Sequence, residues 1–177
     1  MKRAELCFAG LGGQGLILVG MIYAEAALLE GKKVAQTQSY GPEARGGASR
    51  SEVVISEEEI DYPFASKLDL LLAMSQEAHN AYIGKLSKEG ILIVDSTYVR
   101  SPSSSFRLFS FPFTELARER LGREITANMI ALGAVTRISG YVSPEAVEEA
   151  LLRRVPPAMR EANRKAFKLG LELPQKP

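Results

Sequence analysis

Six residues near the start of the chain, Gly10-Leu11-Gly12-Gly13-Gln14-Gly15, fit the spacing G-x-G-x-x-G. Glycines in that pattern act through their backbone, letting the N–H groups of a turn and of the following helix face an anion such as phosphate. They can equally serve to seat a helix close on its strand, and spacing alone leaves both readings open. A dinucleotide site would add an Asp or Glu about 20 residues on, to hold ribose hydroxyls. Gln36, Thr37, Gln38 and Ser39 stand there instead, which turns the expectation away from NAD.

A second cluster, Ser39-Tyr40-Gly41-Pro42-Glu43-Ala44-Arg45-Gly46-Gly47-Ala48-Ser49, follows the second strand and so falls beside the glycine turn, where ligands bind in open α/β sheets. Gly41-Pro42 and Gly46-Gly47 mark two sharp turns, Tyr40 offers a flat ring with a hydroxyl, and Arg45 a planar fork for carboxylate or phosphate. An ion pair of Glu43 with Arg45 that only shapes the loop is the plainer alternative. Other candidates are weaker. Asp95 and Ser96 end a buried strand on the same side and are candidates to line the cleft; Asn128 opens a helix, as a turn-holding amide or a ligand contact. His79, in Ser75-Gln-Glu-Ala-His-Asn, reads as a surface or interface histidine, and Cys7 as an inert core residue. The basic residues from Arg153 to Lys168 read as a solvated helix face, with a docking surface as the alternative.

Composition narrows the classes. Twenty-two Lys and Arg against twenty-one Asp and Glu give a net charge of +1, without the basic excess of a general nucleic-acid binder. One cysteine excludes an intrachain disulfide, an iron–sulfur cluster or a cysteine-rich zinc site held by this chain alone, and with one histidine a His-based metal site would have to recruit carboxylates or another subunit. No catalytic residue and no metal ligand is expected. Met1-Lys2-Arg3 with Ala24-Glu25-Ala26 imitates a signal peptide, but Glu5, Gln14 and five glycines interrupt its apolar stretch. No run approaches the roughly 20 apolar residues of a membrane span, so the expected location is cytoplasmic.

To position the two glycine-bearing segments, the chain must alternate strands with helices. Apolar runs predict strands over residues 4–9, 34–38, 51–56, 69–74, 91–95 and 106–111, the third with one face exposed. Helices are predicted over 16–30, 76–85, 114–121, 126–139, 144–154 and 158–169; Gly31 closes the first, while Ser143 caps 144–154 with Pro144 at its first position. The expectation is one α/β domain over residues 1–177: three layers, α/β/α, with a mostly parallel Rossmann-like sheet and a helical C-terminal third.

The two glycine-bearing motifs, with Asp69-Leu-Leu-Leu-Ala-Met74, Ile91-Leu-Ile-Val-Asp95-Ser96 and Asn128-Met-Ile-Ala-Leu-Gly133, make the chain resemble the gamma subunit of 2-oxoacid:ferredoxin oxidoreductases over nearly its whole length. Within that family Ser39–Arg45 looks most like the 2-oxoglutarate type, with the pyruvate and branched-chain types as alternatives. The resemblance implies a multisubunit cytoplasmic enzyme that decarboxylates a 2-oxoacid, captures the acyl group on coenzyme A and reduces ferredoxin. Thiamine diphosphate and iron–sulfur clusters would sit in alpha, beta and delta-type partner subunits, since this chain has neither a Gly-Asp-Gly signature nor cluster cysteines. It would then be inert alone, with no nucleic-acid or membrane partner. Its share of a coenzyme A site would fall on Gly10, Gly12, Gly13, Gln14, Gly15, Ser39, Tyr40, Gly41, Glu43, Arg45, Gly46 and Gly47. A free-standing nucleotide- or acyl-CoA-binding Rossmann-like module is the rival reading.

Overall fold

A computed structural model describes residues 3–39 and 48–173. Six strands form one sheet in the order β2-β3-β1-β4-β5-β6: β1 (Arg3–Leu11), β2 (Lys33–Ser39), β3 (Ala48–Ser56), β4 (Leu68–Ala73), β5 (Leu86–Asp95) and β6 (Arg107–Phe111). β1, β4, β5 and β6 pair in parallel, while β3 lies antiparallel to both β2 and β1. The sheet is thus mostly parallel with one reversed strand inside it.

That interior place corrects the expected exposure of β3. Ser51, Glu52 and Ser56 are all buried, and their polar groups are accommodated across the strands. Ser51 Oγ accepts from Gln36 Nε2 at 2.9 Å, and Glu52 pairs with Arg50 at 3.3 Å and Lys85 at 3.6 Å.

Strand alternation sends side chains to two unequal layers. Leu6 and Phe8 of β1, Leu70 and Leu72 of β4 and Ile91 and Ile93 of β5 face the larger one. It consists of α1 (Leu16–Leu29), α3 (Phe113–Leu121), α4 (Ala127–Ser139), α5 (Pro144–Arg154) and α6 (Arg160–Leu171). Cys7, Ala9, Leu71, Leu92 and Val94 face the smaller one, which holds the short helix α2 (Gln76–Tyr82) and flanking loops. The helical C-terminal third therefore covers the α1 face of the sheet. Gly31 has φ +76° just past α1, and Ser143 Oγ accepts from Ala146 N with Pro144 behind it, as expected of these caps.

Among the described residues no helix is long and apolar enough to cross a membrane. Three arginines of α5 and α6 lie in ion pairs near the surface: Arg153 with Glu149, Arg154 with Glu25, and Arg164 with Glu148.

Below the sheet, Glu5 ties the β3–β4 connection down. One carboxylate oxygen accepts from Ser66 N at 2.6 Å and Lys67 N at 3.0 Å, the other from Arg3 Nε at 2.8 Å. Burial alone would raise this carboxyl group; the hydrogen bonds from Lys67, Arg3 and Ser66 outweigh it and hold the group below the usual carboxylate range. A lowered folded-state value stabilises the fold above the unfolded value of about 4.3 and is lost as pH falls through the folded one. Glu5→Gln is expected to cost about 1–3 kcal/mol at neutral pH. In urea melts the gap to wild type should close below about pH 4; a pH-independent gap would refute the assigned charge.

Candidate functional site

The chain leaves β1 for β2 on one side of the sheet and later crosses to β4 on the other. The carboxyl ends of β1 and β4 therefore flank the point where strand order reverses, the usual place for a ligand in this architecture. A cleft of about 460 Å³ lies there, lined by Gly12, Gly13, Gln14, Met74, Tyr98, Thr114 and the start of α4.

The glycine turn is built from within. Gln14 Oε1 accepts from Leu11 N at 2.7 Å, and its Nε2 donates to Met74 O at 3.1 Å, so the Gln14 side chain bridges the ends of β1 and β4. A Cβ on Gly10 would stand 2.3 Å from that amide oxygen, so Gly10 packs closely beneath the Gln14 side chain. Gly13 and Gly15 hold φ of +94° and +74°, left-handed backbone that side chains disfavour. Gly15 is the N-cap of α1 and offers no side chain to its free N–H groups. Nor does Thr126 cap α4 with its side chain. Two helix N-termini, each a partial positive charge, thus meet at one cleft.

One wall corrects an expectation and another adds a residue. Asp95 is fully buried, its carboxylate accepting from Thr97 N at 3.0 Å, Thr114 N at 3.2 Å and Thr114 Oγ1 at 2.5 Å. It holds the start of α3, and Thr114 and Tyr98 form the cleft wall there. Glu124, which sequence reasoning missed, brings a carboxylate to the same cleft. Arg118 Nη2 donates to it at 3.0 Å and Tyr98 Oη at 2.9 Å, and these two bonds lower its pKa and keep it ionised. The turn before α4 thus brings one carboxylate to the cleft wall.

Asn128 proves to be a buried cleft residue. It is 6 % exposed; its Nδ2 donates to Gly15 O at 3.5 Å, while its Oδ1 is buried with no hydrogen-bond partner. Such an orphan costs about 1–3 kcal/mol and demands a reason. His79 is not at the surface as expected: it is 5 % exposed. Its Nε2 accepts from Ser103 N at 3.1 Å, so the ring pins the segment after β5, helped by Gln76 Oε1, which accepts from Arg100 N and Ser101 N. Cys7 is fully buried, and burial together with Glu52 pushes its thiol up to about 12, as befits an inert core residue.

Of the second motif, Ser39 is exposed at the end of β2 opposite Arg50. Ser49 Oγ donates to Leu11 O at 3.4 Å, which sets the start of β3 against the glycine turn. Tyr40, Gly41, Glu43, Arg45, Gly46 and Gly47 lie outside the described residues.

Fold and cleft together define a doubly wound α/β domain with an anion-compatible cradle at its switch point. The chain belongs to the pyruvate ferredoxin/flavodoxin oxidoreductase family, whose model matches residues 5–173. It is 48 % identical to the 2-oxoglutarate synthase subunit KorC of Methanothermobacter thermautotrophicus, over 97 % of this chain and 95 % of that one. It is similar to the crystal structure of the keto/oxoacid ferredoxin oxidoreductase gamma subunit from Geobacter sulfurreducens, with a TM-score of 0.89, 48 % identity and coverage of 97 % and 96 %. A longer chain, the 2-oxoglutarate:ferredoxin oxidoreductase from Magnetococcus marinus with 2-oxoglutarate, coenzyme A and succinyl-CoA bound, shares the fold at 22 % identity and a TM-score of 0.88. The match covers 97 % of this chain and 31 % of that one. The resemblance read from the motifs and the expected α/β architecture are both borne out.

Proposed function

We propose that this chain is the gamma-type subunit of a 2-oxoglutarate:ferredoxin oxidoreductase and contributes to coenzyme A binding and subunit assembly. The observation that carries the coenzyme A reading is the convergence of the α1 and α4 N-termini on the Gly12–Gly13 turn, a cradle for a diphosphate. The substrate type rests on full-length similarity to a 2-oxoglutarate synthase subunit. Thiamine diphosphate supplies the carbanion chemistry and iron–sulfur clusters the electron path in partner subunits of alpha, beta and delta type, with ferredoxin the acceptor. Cys7, the one cysteine, is buried in the sheet and offers no thiolate to a cluster. The isolated chain is then inactive, and works in the cytoplasm only when assembled.

Arg45, in the connection whose ends flank the glycine turn, is the side chain assigned to the coenzyme A phosphates. Arg45→Ala in the assembled enzyme is expected to raise the Michaelis constant for coenzyme A about tenfold, the worth of one charge-assisted hydrogen bond. A change confined to the 2-oxoacid constant refutes the assignment.

Glu124 favours a second reading. A carboxylate beside a glycine turn is what ribose recognition needs, so a free-standing nucleotide-binding module is the alternative. Thermal shifts with NAD, NADP, FAD and coenzyme A separate the two: stabilisation by a dinucleotide and not by coenzyme A favours the module.

A further inference from the structure

α1 carries one charged residue, Glu25, among fourteen, and a helix apolar on every side is ordinarily covered on every side. Three of its sides are covered. Gly20 packs on Ser51 of β3, Tyr23 Oη and Ser139 Oγ of α4 share a hydrogen bond of 2.9 Å, and Glu25 pairs with Arg154 of α5. Ile17, Met21 and Leu28, four and seven residues apart, share the fourth side. The first two are half-buried and Leu28 is 58 % exposed. α4 stands over β4 and β5, so the side of α1 turned away from it looks out past β2.

β2 is the edge strand there. It has seven residues and no proline, and its one charge, Lys33, sits at its end, held by Glu59 at 2.8 Å. The opposite edge, β6, is protected in the usual ways: it is five residues long, with Arg107 at one end and Pro112 just past the other. β2 lacks such devices beyond its one lysine, and its outer N–H and C=O groups are a template for another strand.

We propose that this side is a twofold interface with a second copy of this chain, β2 pairing antiparallel with β2 and α1 packing against α1. A twofold axis normal to the sheet pairs only residues of the same face, which keeps both α1 helices on one side of the joined sheet. The register with full overlap is centred on Gln36: Lys33 then lies opposite Ser39, Val34 opposite Gln38 and Ala35 opposite Thr37. The one charge of the strand therefore never meets itself, and like charges directly opposite are what such a pairing must avoid. Ile17, Met21 and Leu28 meet those of the second copy above the joined edges and supply the apolar part of the contact. A strand of a different subunit is the competing occupant, and the register separates the two. The proposal is independent of the coenzyme A reading, so either can fail and leave the other standing.

The full chain should sediment as a dimer at micromolar concentration. Leu28→Glu, which sets a carboxylate against its own copy, should weaken self-association at least about tenfold and leave the melt unchanged, since the position is exposed. On oxidation Gln36→Cys should form a disulfide-linked dimer, because the axis brings the residue opposite itself. Gln38→Cys should not, its two copies standing about 13 Å apart along the strands. Cys7 is fully buried and gives no background. A monomer at every concentration overturns the proposal and leaves this side to another subunit. So does a dimer that Leu28→Glu leaves intact, or one in which the two cysteine variants cross-link alike. Where Gln36→Cys fails to fold, the sedimentation of wild type against Leu28→Glu decides the matter.

Discussion

Gly133→Ala is expected to cost about 3 kcal/mol, the upper part of the range for forcing atoms into a packed core. For a chain of this size that lowers the melting midpoint by about 6–12 °C. α4 and α6 cross at Gly133 and Gly170, and an added Cβ would meet backbone on either side. At Gly133 it would stand 2.1 Å from Phe167 O, and at Gly170 2.0 Å from Ile130 O. A side chain could swing aside; a carbonyl in a helix cannot without moving the helix. Because the N-terminus of α4 forms one wall of the cleft, the crossing also fixes the site. Gly170→Ala should cost as much for the same reason, and Gly84→Ala, where a Cβ meets nothing within 4 Å, should stay within about 0.5 kcal/mol. A Gly133→Ala melt matching that control would mean the helices cross less closely than described.

The sequence shows best what is local. The run Ala4–Ala9, the glycine turn and the Ser143-Pro144 cap each announce themselves through neighbours in the chain, and each element formed within a few residues of its expected bounds. Strand direction depends on the connection instead. Only eight residues, 40–47, join β2 to β3, fewer than the dozen or more a parallel crossover needs, so chain length held the signal for the reversed strand. Misreading it left Glu52 and Ser56 on an exposed face. His79 was misread for a related reason: polar neighbours Gln76, Glu77 and Asn80 suggest solvent, yet the ring is covered by the segment 100–103, which has no periodicity to reveal where it lies. Glu124 enters the cleft more than a hundred residues after Gly13, a distance over which no spacing rule operates. Asn128 was visible as a helix start, but only packing shows that its oxygen lacks a partner.

Gly13→Ala and Gly15→Ala should separate backbone strain from site geometry. Both residues hold left-handed φ, so each alanine carries a backbone penalty of about 1–2 kcal/mol. At Gly13 nothing else is disturbed, since an added Cβ meets nothing within 4 Å. At Gly15 the same atom would stand 2.4 Å from Asn128 Nδ2, displacing the amide that sits between the two helix N-termini. Gly15→Ala is therefore expected to destabilise the chain more than Gly13→Ala and to weaken coenzyme A binding by more than tenfold. A double-mutant cycle isolates the contact: with Asn128 cut back to alanine, the clash disappears and Gly15→Ala should cost about 1 kcal/mol less than it does in the wild-type background. Strictly additive costs would show that Gly15 is demanded by its dihedral alone, and the proposed partnership of Gly15 with Asn128 would fall.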